Sequence, residues 1–67
     1  MTKIYVGENI RSFRKKSGMT QAQFAEVFGV TAQAVSKWEQ NKNYPDIILL
    51  PEIARFIGIS VGQFFGE

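Results

Sequence analysis

Four side chains between positions 33 and 40 share one kind of chemistry. At 3.6 residues per turn Gln33, Ser36, Lys37 and Gln40 fall on one side of a helix, beside the small Ala32. The two amides and the hydroxyl each donate and accept hydrogen bonds, and the lysine only donates. No carboxylate stands among them. A helix face that is merely solvated usually mixes Glu with Lys, so this amide-rich, acid-free face raises the question of what it meets.

Composition narrows the answer. The chain has 67 residues, enough for one domain near the small end of what buries its own core. It has no cysteine and no histidine. That removes disulfides, the commonest metal ligands and the commonest general base, so neither a metal, a cofactor nor a catalytic site is expected. No apolar run approaches the roughly 20 residues of a membrane span, and the N-terminus lacks a signal-peptide core. A cytoplasmic protein with no membrane partner is expected. Net charge is +2, unevenly placed. Lys3, Arg11, Arg14, Lys15 and Lys16 face only Glu8 in the first 18 residues, whereas Arg55 is outnumbered by Asp46, Glu52 and Glu67 after position 43. A basic front suits an acidic partner such as nucleic acid.

The elements that must hold the polar face are marked by a repeated corner. Gly18-Met19-Thr20, Gly29-Val30-Thr31 and Gly58-Ile59-Ser60 each read as the end of one helix and the start of the next. Glycine takes the left-handed position past a helix end, the apolar residue packs back, and the hydroxyl caps the following helix. Thr20 with Gln23 and Ser60 with Gln63 have capping-box spacing. Helices are predicted over about Tyr5 to Ser17, Gln21 to Phe28, Ala32 to Gln40 and Ile48 to Ile57, with a fifth of a turn or two over Val61 to Phe65. Pro51 fits only in a first turn. No alternating pattern argues for a strand. The expected fold is all-α, a compact five-helix domain over residues 1–67. Its abrupt stop after the fifth helix suggests the N-terminal part of a longer protein. Phe13, Phe24, Phe28, Val35, Leu50, Ile53 and Phe56 are expected in the core and Trp38 at its edge.

The second and third helices with their glycine corner form a helix-turn-helix. Ala25 is small where the helices cross, Gly29 makes the corner and Val35 points inward. A small helical bundle without a partner has the same features.

Further residues distinguish the two. Ile10-Arg11 with Arg14, Met19-Thr20-Gln21, Phe24-Ala25, Phe28-Gly29-Val30-Thr31, Val35-Ser36-Lys37-Trp38-Glu39, Tyr44-Pro45-Asp46, Leu49-Leu50, Ile53-Ala54 and Ile57-Gly58-Ile59-Ser60 are in register with one pattern. With them, residues 8–65 resemble the phage-repressor and Cro-like (Xre-type, lambda-repressor-like) helix-turn-helix domains. Asn41 stands where that family often has glycine and Phe24 where it often has leucine. Asparagine is the next-best left-handed cap.

The resemblance implies a transcriptional regulator that binds duplex DNA, commonly as a dimer on a near-palindromic operator. The third helix then lies in the major groove, and Thr31, Ala32, Gln33, Ser36 and Lys37 are the base-reading candidates. Gln21 at a helix N-terminus, with Gln40, Lys42, Asn43 and Tyr44 beyond the third helix, are the phosphate candidates. The resemblance also implies a structural ion pair between Arg14 and Glu39. Of Phe64 and Phe65, one is expected to cap the core and the other to join a partner, in a weak homodimer or one that pairs only on DNA. Binding of DNA on the nucleoid fits the cytoplasmic placement. The rival expectation is a protein-interaction module of the same fold, of antitoxin or adaptor type, without DNA binding.

Overall fold

Each corner glycine ends a helix in the way its sequence asks. The computed structural model describes residues 3–67, and in it α1 (Val6–Lys16), α2 (Gln21–Phe28), α3 (Ala32–Glu39) and α4 (Leu49–Ile57) are followed by a 3-10 helix, Val61–Phe65. At the corner between α2 and α3, Gly29 sits at φ 67°. Its N–H donates to Glu26 and that of Val30 to Ala25, a pair that closes the open carbonyls of the helix end. The same pair closes α1 at Gly18 and α4 at Gly58. Met19, Val30 and Ile59 then pack against the core. Thr20 and Ser60 both complete capping boxes with Gln23 and Gln63.

The fold has four α-helices rather than five. Between the box at Ser60 and the left-handed Gly66 only five residues remain, too few for a ladder of α-helical bonds. The segment closes instead with three-residue steps, Gln63 N–H to Ser60 and Gly66 N–H to Gln63. Both ends of α2, the start of α3 and the end of α4 fall as expected, and the remaining α-helix ends differ by one residue. Ile48 stands just outside α4 as its N-cap, which leaves Pro51 in the first turn as required.

The core is drawn from every helix: Val6 and Ile10, Phe24 and Ala25, Val35 and Trp38, Ile53 and Ala54, and Phe64. Phe64 is fully buried and Phe65 stays partly exposed, as the paired aromatics suggested. Phe13, Phe28 and Leu50 are half-buried rather than central. Phe56, expected inside, is 40% exposed. It closes an aromatic cluster from the rim, its ring 5.4 Å from Phe13, 5.9 Å from Phe24 and 5.5 Å from Phe28, all edge-on. Trp38 is 4% exposed, deeper than an edge position.

Candidate nucleic-acid interface

The helix that carries the polar face is short and held at both ends. Thr31 has extended backbone angles, and its hydroxyl accepts from the N–H of Ala34 at 3.1 Å. At the other end Asn41 takes the left-handed conformation at φ 59°, the one non-glycine residue with positive φ among the described residues. The N–H of Asn41 reaches Trp38 and that of Lys42 reaches Lys37, so asparagine does here what glycine does at the other corners. Eight residues make a marginal helix in isolation, so packing must hold α3 in place. Val35 and Trp38 supply it.

That burial decides which side faces out. Thr31, Gln33, Lys37 and Gln40 are exposed, while Ala32 and Ser36 are half-buried at the margins. Gln33, Ser36, Lys37, Gln40 and Lys42 line one shallow depression of about 320 Å³. Base-reading and phosphate candidates thus come together on one surface. Three candidates on this face are partly occupied. The Gln40 amide donates to the Ser36 hydroxyl at 2.9 Å, which ties Gln40 to the face of α3 rather than to the loop beyond. Thr31 is engaged as the cap, with its hydroxyl hydrogen still free to donate. Lys42, Asn43 and Tyr44 are exposed on the loop that follows.

Behind this surface α1 fixes the angle of α3. The guanidinium of Arg14 grips Glu39 with two bonds, Nε to Oε2 at 2.7 Å and Nη2 to Oε1 at 2.9 Å, and Nη1 donates to the carbonyl of Met19. The side chains are 14% and 5% exposed. Burial pushes the Glu39 carboxyl upward, but hydrogen bonds from Arg14 and Gln21 and the charges of Arg14 and Arg11 outweigh it, leaving it below its ordinary value. The bond to Glu39 in turn raises Arg14. A bidentate, poorly solvated pair of this kind sets geometry as well as charge.

Two features of this support are absent from the sequence reading. Gln21, a phosphate candidate, is half-buried, and its amide donates to Glu39 Oε1 at 3.3 Å. The carboxylate that anchors α1 therefore also orients the first side chain of α2, and the second amide hydrogen of Gln21 remains for a partner. The other feature is Gly7. A Cβ there would collide with the carbonyl oxygen of Trp38 and lie 3.1 Å from both the Asn41 side-chain oxygen and the Glu39 Cα. Only glycine lets α1 approach the last turn of α3 this closely. A glycine at the second position of a helix, where alanine would be the better helix former, was the available signal.

Among the basic residues of the front, Lys3 is turned elsewhere, 3.5 Å from Glu8 and over the ring of Tyr5. Arg11, Lys15 and Lys16 are exposed. Among the described residues no group of three potential metal-ligating side chains occurs, and no helix is long and apolar enough to cross a membrane.

Comparison with known proteins gives a consistent result. A family model described as helix-turn-helix matches residues 10–64. The HTH-type transcriptional regulator PuuR of Escherichia coli strain K12 is 34% identical over 61 residues, covering 91% of this chain and 33% of PuuR. An uncharacterized HTH-type transcriptional regulator of Methanothermobacter thermautotrophicus is 43% identical over 49 residues, covering 73% of this chain and 71% of that protein. The P22 c2 repressor, solved in complex with a synthetic operator, superposes with a TM-score of 0.81 at 30% identity, covering 91% of this chain and 92% of the repressor. The chain spans about a third of the length of PuuR.

Proposed function

The chain belongs to the helix-turn-helix family, and we propose that it binds duplex DNA sequence-specifically as the reading domain of a transcriptional regulator. One observation carries this reading. The outward face of α3 gathers Gln33, Ser36, Lys37 and Gln40 with Lys42 in one depression, without a carboxylate, on a helix fixed from behind. Laid in the major groove, Gln33 suits the N6 and N7 edge of adenine, Lys37 suits guanine O6 and N7, and Thr31 and Ser36 suit either base. Ala32 allows close approach and contact with a thymine methyl. Gln21, Gln40, Lys42, Asn43 and Tyr44 surround that surface as phosphate anchors. The structural likeness to the P22 c2 repressor, a protein solved on operator DNA, supports the same use of the fold.

Residues 1–67 act in this reading as a single domain on the nucleoid, in the cytoplasm, and without a cofactor or chemical step of their own. Two copies pair on a near-palindromic operator, with half-sites about one helical turn apart. Selection from random duplex DNA at two salt concentrations tests the function. A recovered consensus with inverted half-sites is expected, bound more weakly at higher salt. Recovery of no preferred sequence would transfer the reading to a protein-interaction module of the same fold.

A further inference from the structure

Ser36 is held differently from the three hydroxyls that cap helices. Thr20, Thr31 and Ser60 each accept a backbone N–H at the start of a helix. Ser36 stands inside α3 and accepts from a side chain, the Gln40 amide, Nε2 to Oγ at 2.9 Å. The backbone ties the same two residues again, with the Gln40 N–H donating to the Ser36 carbonyl at 3.1 Å. A helical serine commonly turns its own hydrogen back onto the carbonyl four residues earlier. Among the described residues Ser36 makes no such bond, so its hydrogen stays uncommitted.

The place of this pair gives the bond a use other than stability. Gln40 is exposed and Ser36 half-buried, and both line the depression shared with Gln33, Lys37 and Lys42. An exposed side-chain pair four residues apart on a helix adds little to stability in water. What it fixes is direction. The amide has hydrogens on nitrogen and lone pairs on oxygen, and the hydroxyl has one hydrogen and two lone pairs. Whichever end of the amide faces Ser36 decides whether the serine has its hydrogen left to offer. A phosphate only accepts, so an anchoring phosphate draws the nitrogen end of Gln40 toward the DNA. One amide hydrogen then goes to the phosphate and the other to Ser36. The serine accepts from Gln40 and keeps its hydrogen for the surface in front of it. A hydroxyl that already accepts donates more strongly.

We propose that Gln40 is a specificity-determining positioning residue, which fixes the Ser36 hydroxyl as a donor to one base edge. Ser36 then reads an acceptor, N7 or O6 of a purine or O4 of thymine, and not the amino group of adenine or cytosine. The proposal rests on the DNA-binding reading above and narrows it, because a serine by itself suits either kind of group. Gln40 keeps its phosphate and gains a second task, so anchoring and reading meet in one amide.

The experiment compares wild type, Ser36→Ala, Gln40→Met and the double variant on the selected duplex. Methionine keeps the length and apolar stem of Gln40 and removes the amide. The base pair whose preference Ser36→Ala flattens is rebuilt with analogues that lack N7, O6 or O4, one at a time, or that lack the amino group of adenine or cytosine. Each affinity is read as a ratio to the unmodified duplex for the same protein, so a change in folded fraction cancels. Loss of one acceptor is expected to weaken wild type roughly three- to tenfold and to leave Ser36→Ala and Gln40→Met nearly unaffected. The double variant should lose no more base preference than either single one, as coupled residues do. A loss on removing the amino group, with none on removing an acceptor, would reverse the direction of the hydrogen and overturn the proposal. Wild-type base preference in Gln40→Met, or losses that add in the double variant, would overturn it too. If wild type is selective and Ser36→Ala flattens no base pair, this inference fails and the functional reading stands. If wild type prefers no duplex at all, both fail.

Discussion

α2 and α3 begin almost alike and use their glutamines differently. Each has eight residues and a threonine N-cap whose hydroxyl accepts from the third helical N–H. In α2 that third residue is Gln23, and its side chain bonds back to the N–H of Thr20 at 2.8 Å. In α3 the third residue is Ala34, and the glutamine stands one position earlier, at Gln33, exposed and aimed into the shared depression. A shift of one residue separates a glutamine that closes a helix end from one offered to a partner. The far ends differ in the same sense. α2 stops at a bare glycine, whereas α3 stops at Asn41, against Gly7 and the Arg14–Glu39 pair. Placement, more than residue type, separates scaffold from reading surface.

Removal of the support under α3 should break this contrast most strongly. Glu39→Ala leaves the Arg14 charge poorly solvated and unpaired, and should cost about 3–5 kcal/mol. Glu26→Ala on the exposed side of α2 should change stability by no more than about 0.5 kcal/mol. Denaturant midpoints of the two variants measure the difference, and equal midpoints would contradict the pairing. The sign with pH follows from the lowered Glu39 value. The folded state favours the ionised carboxylate, so its contribution is full above the ordinary Glu range and is lost as pH falls through the folded value. Wild-type stability should therefore drop more steeply on acidification than that of Glu39→Gln.

The next effect comes from Gly7. Alanine is the better helix former, so any loss in Gly7→Ala must come from the collision with the last turn of α3. A cost of about 1–3 kcal/mol is expected from overpacking. A melting temperature at or above that of wild type would show that α1 and α3 part without penalty.

Salt separates charged from neutral anchors and gives the smallest effect. Lys42→Ala should reduce the dependence of log affinity on log salt by about 1. Gln21→Ala should weaken specific and random duplex nearly equally and leave that slope almost unchanged, because a neutral donor displaces no counterion. A changed slope for Gln21→Ala, or an unchanged one for Lys42→Ala, would exchange their roles.

Much of the scaffold was legible because it depends on local chemistry. The three glycine corners and both capping boxes follow from residues within a few positions of one another, whereas the left-handed Asn41 was read from its place in the family pattern. The Arg14–Glu39 pair came from family resemblance, since nothing local joins positions 25 residues apart. What stayed hidden depends on how helices meet. Gly7 reads as a weak spot in α1 until the end of α3 is set against it. The bond from Gln21 to Glu39 needs three helices in place. Phe56 has the spacing of a core residue, yet its ring closes the aromatic cluster from the rim. The last helix carried sound capping signals, but a capping box does not fix how the turns between its ends are hydrogen-bonded.

The comparison of the two glutamines also supplies the most direct test of the reading surface. Gln33→Ala and Gln23→Ala are titrated side by side against the selected duplex, its single-base variants and random duplex. With α3 in the groove, Gln33→Ala should flatten preference at one base pair per half-site, removing about 1–3 kcal/mol of discrimination. Gln23→Ala should lose about 0.3–1.5 kcal/mol of stability and keep the wild-type ranking of bases. Intact base preference in Gln33→Ala would contradict the placement of α3 in the groove.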